Sequence, residues 1–135
     1  MTDTPLCVFP RTQKVMILSP DTDLVALFGQ AFSPAEIDIF PLPRGRGAIE
    51  HLFNDPPDLL VVDQNLTDIP GLVLVSMVKS ENVYRQLPVA LVMDAEALAN
   101  DVDWCSAEVD ELLVRPLSAA MVFFVAYGPR TRYFP

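Results

Sequence analysis

Short runs of apolar residues alternate along this chain with segments whose apolar residues recur at helical spacing. The clearest run is Leu59–Val62, which follows Pro56–Pro57 and ends at the carboxylate of Asp63. An unbroken run of this length is typical of a strand buried on both faces, as in parallel sheets covered by helices. Because open parallel sheets carry their working residues just past the carboxyl ends of the strands, Asp63 is a candidate site residue. As an alternative, Asp63 serves as a turn former.

The same alternation of strand and helix continues along the whole chain. The other predicted strands are Lys14–Leu18, Ile37–Phe40, Pro88–Met93 and Asp110–Val114, and the predicted helices are Asp23–Phe32, Gly45–Asn54, Leu72–Lys79, Ala95–Asn100 and Ser118–Tyr127. Strands separated by helical patterns indicate βαβ units and a parallel sheet. We therefore predict one α/β domain over residues 14–127, with a flexible lead-in at 1–13 and a polar tail at 128–135.

Composition and charge narrow the class of partner. The chain has 135 residues, of which 51% are hydrophobic, and 18 acidic against 9 basic residues give a net charge of −9. An acidic surface argues against nucleic acid and against an anionic membrane as direct partners. No signal peptide is visible, and the longest apolar run, Ala119–Tyr127, is too short to span a bilayer. We expect a cytoplasmic protein.

The chain offers few of the residues that common enzymes use. It has one histidine, His51, and two distant cysteines, Cys7 and Cys105, so a Ser–His–Asp triad or a zinc cluster is excluded. The turn Arg44–Gly47 lacks the spacing of a phosphate-binding loop. A small enzyme of flavodoxin-like shape is disfavoured because no glycine-rich loop follows the first strand. We expect no enzymatic activity.

From Asp58 to Gly71 the chain resembles the receiver domain of bacterial two-component response regulators. Asp63 matches the phospho-accepting aspartate, and Gly71 matches the glycine before the third helix. The resemblance continues at Leu87–Val89 in the fourth strand and at Asp110–Leu117 in the fifth, and it covers residues 14–127. It implies the flavodoxin-like receiver fold: a doubly wound, five-stranded parallel sheet of order 2-1-3-4-5 with helices on both faces.

The departures from the family pattern concern the phosphorylation machinery. Where the resemblance implies an acidic pair, a hydroxyl and a lysine–proline pair, this chain has Ser19–Pro20, Met93 and Arg115–Pro116. Ser19 and Pro20 carry no carboxylate for Mg²⁺, and a methionine cannot donate a hydrogen bond.

Asp63 and the backbone carbonyl of Asn65 then remain as the only matched protein ligands for Mg²⁺. From these departures we predict that Asp63 accepts phosphate poorly or never, and that no cofactor is held.

Two alternatives stay open around this pocket. Asp21 and Asp94 each lie one residue beyond a lost family position, so they either rebuild a Mg²⁺ site or act as a helix cap and a solvated loop acid. A rebuilt site would make this chain a receiver that a histidine kinase phosphorylates on Asp63. Arg115 either forms a bidentate ion pair with Asp63, which holds the pocket closed, or extends into solvent.

Two predicted helices are apolar on nearly all sides and indicate contact surfaces. The resemblance implies a dimer and output surface on the face formed by the fourth helix, the fifth strand and the last helix. The candidate residues on the last helix are Met121, Val122, Phe123, Phe124 and Tyr127. The third helix, Leu72–Lys79, is similarly apolar. We therefore predict a pseudo-receiver in signal transduction that acts independently of phosphorylation, with a protein partner, an output domain or a second copy of itself as the ligand.

Overall fold

The computed structural model describes residues 14–31, 37–81, 84–96 and 109–127, except for the side chains of Phe124, Ala126 and Tyr127. The described strands are β1 (Lys14–Leu18), β2 (Asp38–Leu42), β3 (Leu59–Asp63), β4 (Val89–Met93) and β5 (Glu111–Val114). The described helices are α1 (Thr22–Ala31), α2 (Ala48–Asn54), α3 (Gly71–Lys79) and α4 (Ala119–Tyr127). The predicted lead-in 1–13, the tail 128–135 and most of the predicted helix Ala95–Asn100 lie outside the described residues.

The five strands form one sheet of order β2-β1-β3-β4-β5, and every pairing is parallel. The predicted fold class is therefore confirmed. Leu18 is paired with Val62, Asp63 with Val92 and Met93 with Val114, so the carboxyl ends of the inner strands and β5 meet at one edge.

Each face of the sheet is covered by helices, as the unbroken apolar runs of β3 and β4 require. Because side chains alternate along a strand, even-numbered residues of β3 such as Leu60 and odd-numbered residues of β4 such as Leu91 pack under α2 and α3. Val61 and Val92 pack on the opposite face, with residues of α1 and α4. All residues of β3 and β4 are buried, because these strands lie inside the sheet.

Two of the described element boundaries differ from the sequence prediction by more than one residue, each for a local reason. β2 continues to Leu42 through Pro41, which is tolerated because an edge strand can lack one backbone donor. α2 begins at Ala48 instead of Gly45, because the backbone N–H groups of Gly45 and Arg46 donate to the Asp68 carboxylate at 2.9 and 2.7 Å. The residues before α2 therefore form a turn held to the loop after β3.

Gly71 fixes the distance between β3 and α3. A Cβ atom at this position would lie 2.6 Å from the carbonyl oxygen of Asp63 and 2.8 Å from the Cα of Gln64, both backbone atoms. Glycine is therefore required for α3 to begin against the end of β3. The side chain of Gln64 supports the same start by accepting a hydrogen bond from the N–H of Leu72 at 2.8 Å.

Candidate functional site

The alternation of the strands brings four polar side chains to one face at the carboxyl edge of the sheet. Asp63 follows Val61 on the face covered by α1 and α4, and Ser19 continues the series of Val15 and Ile17 on that face. Asp94 and Arg115 continue β4 and β5 with the same parity. The backbone ladder extends to this level, since the N–H of Arg115 donates to the carbonyl of Met93 at 2.8 Å.

The Asp63 carboxylate lies at the centre of the site and is only 1% exposed. Its Oδ2 accepts hydrogen bonds from the Ser19 hydroxyl at 2.6 Å and from Nη2 of Arg115 at 2.8 Å. Its Oδ1 accepts from the backbone N–H of Asn65 at 2.9 Å and from Nη1 of Arg115 at 3.4 Å. A carboxylate offers about four lone-pair sites, so these four donors use its full accepting capacity.

Arg115 contacts three carboxylates at once. Besides the bidentate contact with Asp63, Nη2 lies 3.1 Å from Oδ2 of Asp21 and Nη1 lies 3.2 Å from Oδ1 of Asp94. The bidentate pairing of Arg115 with Asp63 that the sequence left as one alternative is thus present, and the extended arginine is not. We call the set of Asp21, Asp63, Asp94 and Arg115 the arginine–carboxylate cluster.

Asp21 caps α1, which is one of the two roles considered for it, and it also contacts Arg115. Its Oδ1 accepts hydrogen bonds from the backbone N–H groups of Asp23 and Leu24 at 3.0 and 3.3 Å, which caps α1. Its Oδ2 meanwhile pairs with Arg115. The start of α1 is therefore tied to the end of β5 through one side chain.

Electrostatics within the cluster favour the charged states of Arg115 and Asp21. Burial of the guanidinium alone would lower the pKa of Arg115, but the hydrogen bonds and charges of Asp63, Asp21 and Asp94 raise that pKa above its ordinary value. For the Asp21 carboxylate, partial burial acts in the other direction and would raise the pKa. The hydrogen bonds from Arg115 and from the α1 backbone outweigh burial and lower the pKa of Asp21 below its usual range. Arg115 and Asp21 therefore both stay charged at neutral pH.

The remaining predicted pocket residues lie around the cluster. Asn65 donates its side-chain amide to Oδ2 of Asp94 at 3.1 Å, so Asp94 contacts two partners and is not simply a solvated acid. Met93 is fully buried and packs in the core cluster under α2 and α3, on the other face of the sheet from Asp63. Pro20 is exposed between Ser19 and Asp21, and Pro116 follows Arg115 through a cis peptide bond.

The residues present do not fit a Mg²⁺ ion of the kind that the receiver resemblance implies. Ser19 and Pro20 offer no carboxylate, and both oxygens of Asp63 are already bonded to a guanidinium. A divalent cation at this carboxylate would lie beside a fixed positive charge, which repels it. Among the described residues, no group of three or more histidine, cysteine, aspartate or glutamate side chains is arranged to hold a metal.

Two polar side chains outside the cluster were missed by sequence reasoning. Asp68 fixes the loop before α2, as described above, and its pKa is lowered chiefly by the hydrogen bond from the N–H of Gly45. Lys79 is buried at the opposite edge of the sheet, where it pairs with Asp110 at 3.1 Å and donates to the carbonyl of Leu87 at 2.6 Å. The contacts of Asp68 and Lys79 link residues that are distant in sequence, so no local sequence pattern predicts them.

The predicted surface on the last helix needs correction. Val122 is fully buried and Met121 is half-buried, and both pack in the core with α1 and the sheet, so neither belongs to an outer face. Phe123 is 52% exposed, as predicted. The side chains of Phe124 and Tyr127 lie outside the described part of the chain, so their predicted exposure is untested.

Solved structures resemble this arrangement closely in shape. Chemotaxis response regulator CheY4 of Vibrio cholerae superposes with a TM-score of 0.73, at 15% identity, over 82% of this chain and 92% of that one. The receiver domain of NtrX from Brucella abortus superposes with a TM-score of 0.72, at 18% identity, over 83% and 93%. The chain has the fold of a response-regulator receiver domain.

Sequence comparison leads to proteins of two-component signalling. The chain is 24% identical over 120 residues to the heme response regulator HssR of Staphylococcus haemolyticus, covering 89% of this chain and 52% of that protein. It is 26% identical over 106 residues to the sensor histidine kinase TmoS of Ectopseudomonas mendocina, covering 78% and 11%. It is 26% identical over 96 residues to the regulatory protein LuxO of Vibrio cholerae, covering 71% and 21%.

These relatives are longer than the receiver fold itself. The chain spans about half of HssR and smaller parts of LuxO and TmoS. No protein-family model matches the chain. Within the described residues, no helix is both long and apolar enough to cross a membrane.

Proposed function

We propose that this chain is a receiver-like module of two-component signalling that works without phosphoryl transfer. In this proposal it is a cytoplasmic, non-enzymatic domain that acts through contacts with other proteins. The observation that carries the proposal is the state of Asp63, whose two oxygens are taken up by Arg115, Ser19 and the Asn65 backbone.

The chemistry of phosphoryl transfer supports this proposal. The attacking carboxylate needs a free lone pair directed at phosphorus, and the equatorial oxygens need cations or donors to stabilise their charge. Here the lone pairs of Asp63 point into hydrogen bonds, and the only described cation in contact with it, Arg115, is held by two further carboxylates. Met93, at the family's hydroxyl position, packs into the core and offers no donor.

One observation favours a second candidate function. The carboxylates of Asp21 and Asp94 both lie against Arg115 beside Asp63. A rebuilt metal site for phosphorylation of Asp63 by a histidine kinase would require carboxylates in such positions. Both carboxylates are bonded to the guanidinium, however, so Mg²⁺ would first have to displace Arg115. We therefore place this function second.

The ligand of the module is proposed to be a protein. HssR and LuxO are response regulators or regulatory proteins longer than this chain, which suits a partner domain of the output type. Self-association through the last helix is a weaker proposal than the sequence indicated, because Met121 and Val122 pack inward. Light scattering on the wild type and on Phe123→Glu tests self-association through the last helix. A monomer in both samples would exclude it.

The proposal is tested by exposing the chain to a phosphoryl donor. The wild type and Asp63→Asn are incubated with acetyl phosphate and Mg²⁺, and the intact mass of each is measured. We expect no phosphoryl adduct on either protein. A stable adduct on the wild type that is absent from Asp63→Asn would contradict the proposal and establish the second function.

A further inference from the structure

The outward face of α3 carries no charged side chain. Its exposed residues are Val73, Ser76 and Met77, followed by Ser80 at the end of the helix. The one basic residue of this helix, Lys79, is turned inward and buried. In a chain with a net charge of −9, a helix face without any charge is a candidate contact surface.

A groove runs between this face and α2. Its floor is formed by the buried side chains of Leu52, Val78 and Tyr84, and its walls by Phe53 and Met77, which are 59% and 48% exposed. The Tyr84 hydroxyl donates to the carbonyl of Leu52 at 2.7 Å, and the rings of Phe53 and Tyr84 meet edge to face at 5.7 Å. Contacts within the chain therefore hold the floor of the groove in place without a bound partner.

The size of the groove favours side chains of a protein over a small molecule. Its volume is about 240 Å³, below the roughly 300 Å³ at which ligand and cofactor pockets begin. Apolar side chains on both walls, Phe53 and Met77, suit an inserted row of apolar side chains, as in helix-in-groove recognition.

The charges around the groove favour a basic partner over a second copy. Glu81 lines one end of the groove, and Glu50 is exposed on α2 beside Ile49. Within the part of the chain that the structure describes, no ion pair involves either glutamate. A second copy would bring a net charge of −9 and the same two glutamates to the interface, whereas lysine or arginine side chains would complement them.

We propose that the groove between α2 and α3 docks an amphipathic helix of a partner protein. That helix carries apolar residues at spacings of three and four, which fill the groove between Phe53 and Met77, and lysine or arginine on its flanks, opposite Glu50 and Glu81. This inference rests on the proposed function as a protein-contact module and names the surface that would serve it.

The test is a titration of the ¹⁵N-labelled chain with two synthetic peptides, followed by amide chemical shifts. One peptide is made of leucine and lysine with a helical apolar stripe, and the other has the same composition in scrambled order. The variant is Met77→Ser, which removes a wall without changing charge. The matched control is Phe123→Ser, which removes a similarly exposed apolar side chain on the opposite face. Circular dichroism verifies that both variants are folded.

We expect shifts concentrated on α2, α3 and Tyr84, and an affinity at least about tenfold lower in Met77→Ser than in Phe123→Ser, as for a central contact residue. Equal binding of the scrambled peptide, shifts centred elsewhere, or an unchanged affinity in Met77→Ser would overturn the proposal. A wild-type dimer that Met77→Ser dissociates would overturn it in favour of a second copy. A phosphoryl adduct on Asp63 would refute the proposed function alone and leave this titration unaffected.

Discussion

Removing the guanidinium of Arg115 is the sharpest perturbation of the arginine–carboxylate cluster. In Arg115→Gln the Asp63 carboxylate, 1% exposed, keeps two donors among the described residues, the Ser19 hydroxyl and the Asn65 backbone N–H. Removing one partner of a buried ion pair costs about 3–5 kcal/mol, since the other charge stays buried without compensation. Because the Arg115 side chain is itself 23% exposed, we expect the lower end, about 3 kcal/mol at pH 7.

Removing the other partner should be less damaging. In Asp63→Asn the guanidinium keeps its contacts with Asp21 and Asp94, so we expect a loss of about 1–2 kcal/mol, of the order of one charge-assisted hydrogen bond. The loss in free energy of unfolding of the double variant, Arg115→Gln with Asp63→Asn, should therefore be smaller than the sum of the losses of the two single variants. The coupling free energy from this cycle should be about 2 kcal/mol, within the range for residues in direct contact.

Urea unfolding followed by circular dichroism measures all three free energies. Arg46→Gln is the matched control, because Arg46 is exposed at the same edge of the sheet and forms no ion pair among the described residues, so its stability should change by no more than about 0.5 kcal/mol. The reasoning is refuted if Arg115→Gln unfolds at the same urea concentration as the control, or if the coupling free energy is indistinguishable from zero.

Three further outcomes follow from the same geometry. Gly71→Ala should lower the free energy of unfolding by about 2 kcal/mol, because its Cβ would overlap the backbone of Asp63; a normal urea midpoint would contradict this close approach. Lys79→Met should lower the free energy of unfolding by about 3 kcal/mol, because it removes a buried cation that contacts the Asp110 carboxylate at 3.1 Å, and an unchanged midpoint would show that the pair contributes nothing. Since the pKa of Asp21 is lowered in the folded state, its contribution is present above a pH of about 4 and is lost as the pH falls further, so Asp21→Asn should flatten the acid limb of a stability–pH profile; an identical profile would refute the link.

The parallel sheet and the position of the candidate site at its carboxyl edge could be predicted, because both follow from short local sequence patterns. Leu59–Val62 and Val89–Met93 are unbroken apolar runs, and the carboxyl ends of parallel strands meet at one edge whatever the details. The candidate residues Ser19, Asp63 and Arg115 therefore came together as expected. Which of the open roles Arg115 takes depends on distances between four strand ends, and these are set by tertiary packing.

Other features could not be predicted from the sequence. The last helix is apolar on every side, so the spacing of its residues does not distinguish the buried face from the exposed one. The prediction that Val122 lies on the outer face is therefore wrong. The contact of Asp68 with the Gly45 and Arg46 backbone spans more than twenty residues. Its only local trace is the glycine at 45, whose missing Cβ leaves room for Ile69.

Calorimetric titration of the wild-type chain with Mg²⁺ tests most directly whether Arg115 has taken the place of a metal in this fold. We expect no saturable heat for the wild type, and none for Asp63→Asn, because the oxygens of Asp63 are bonded to a fixed guanidinium that repels a second cation. Saturable binding of Mg²⁺ to the wild type that disappears in Asp63→Asn would contradict the expectation and restore a metal-dependent receiver.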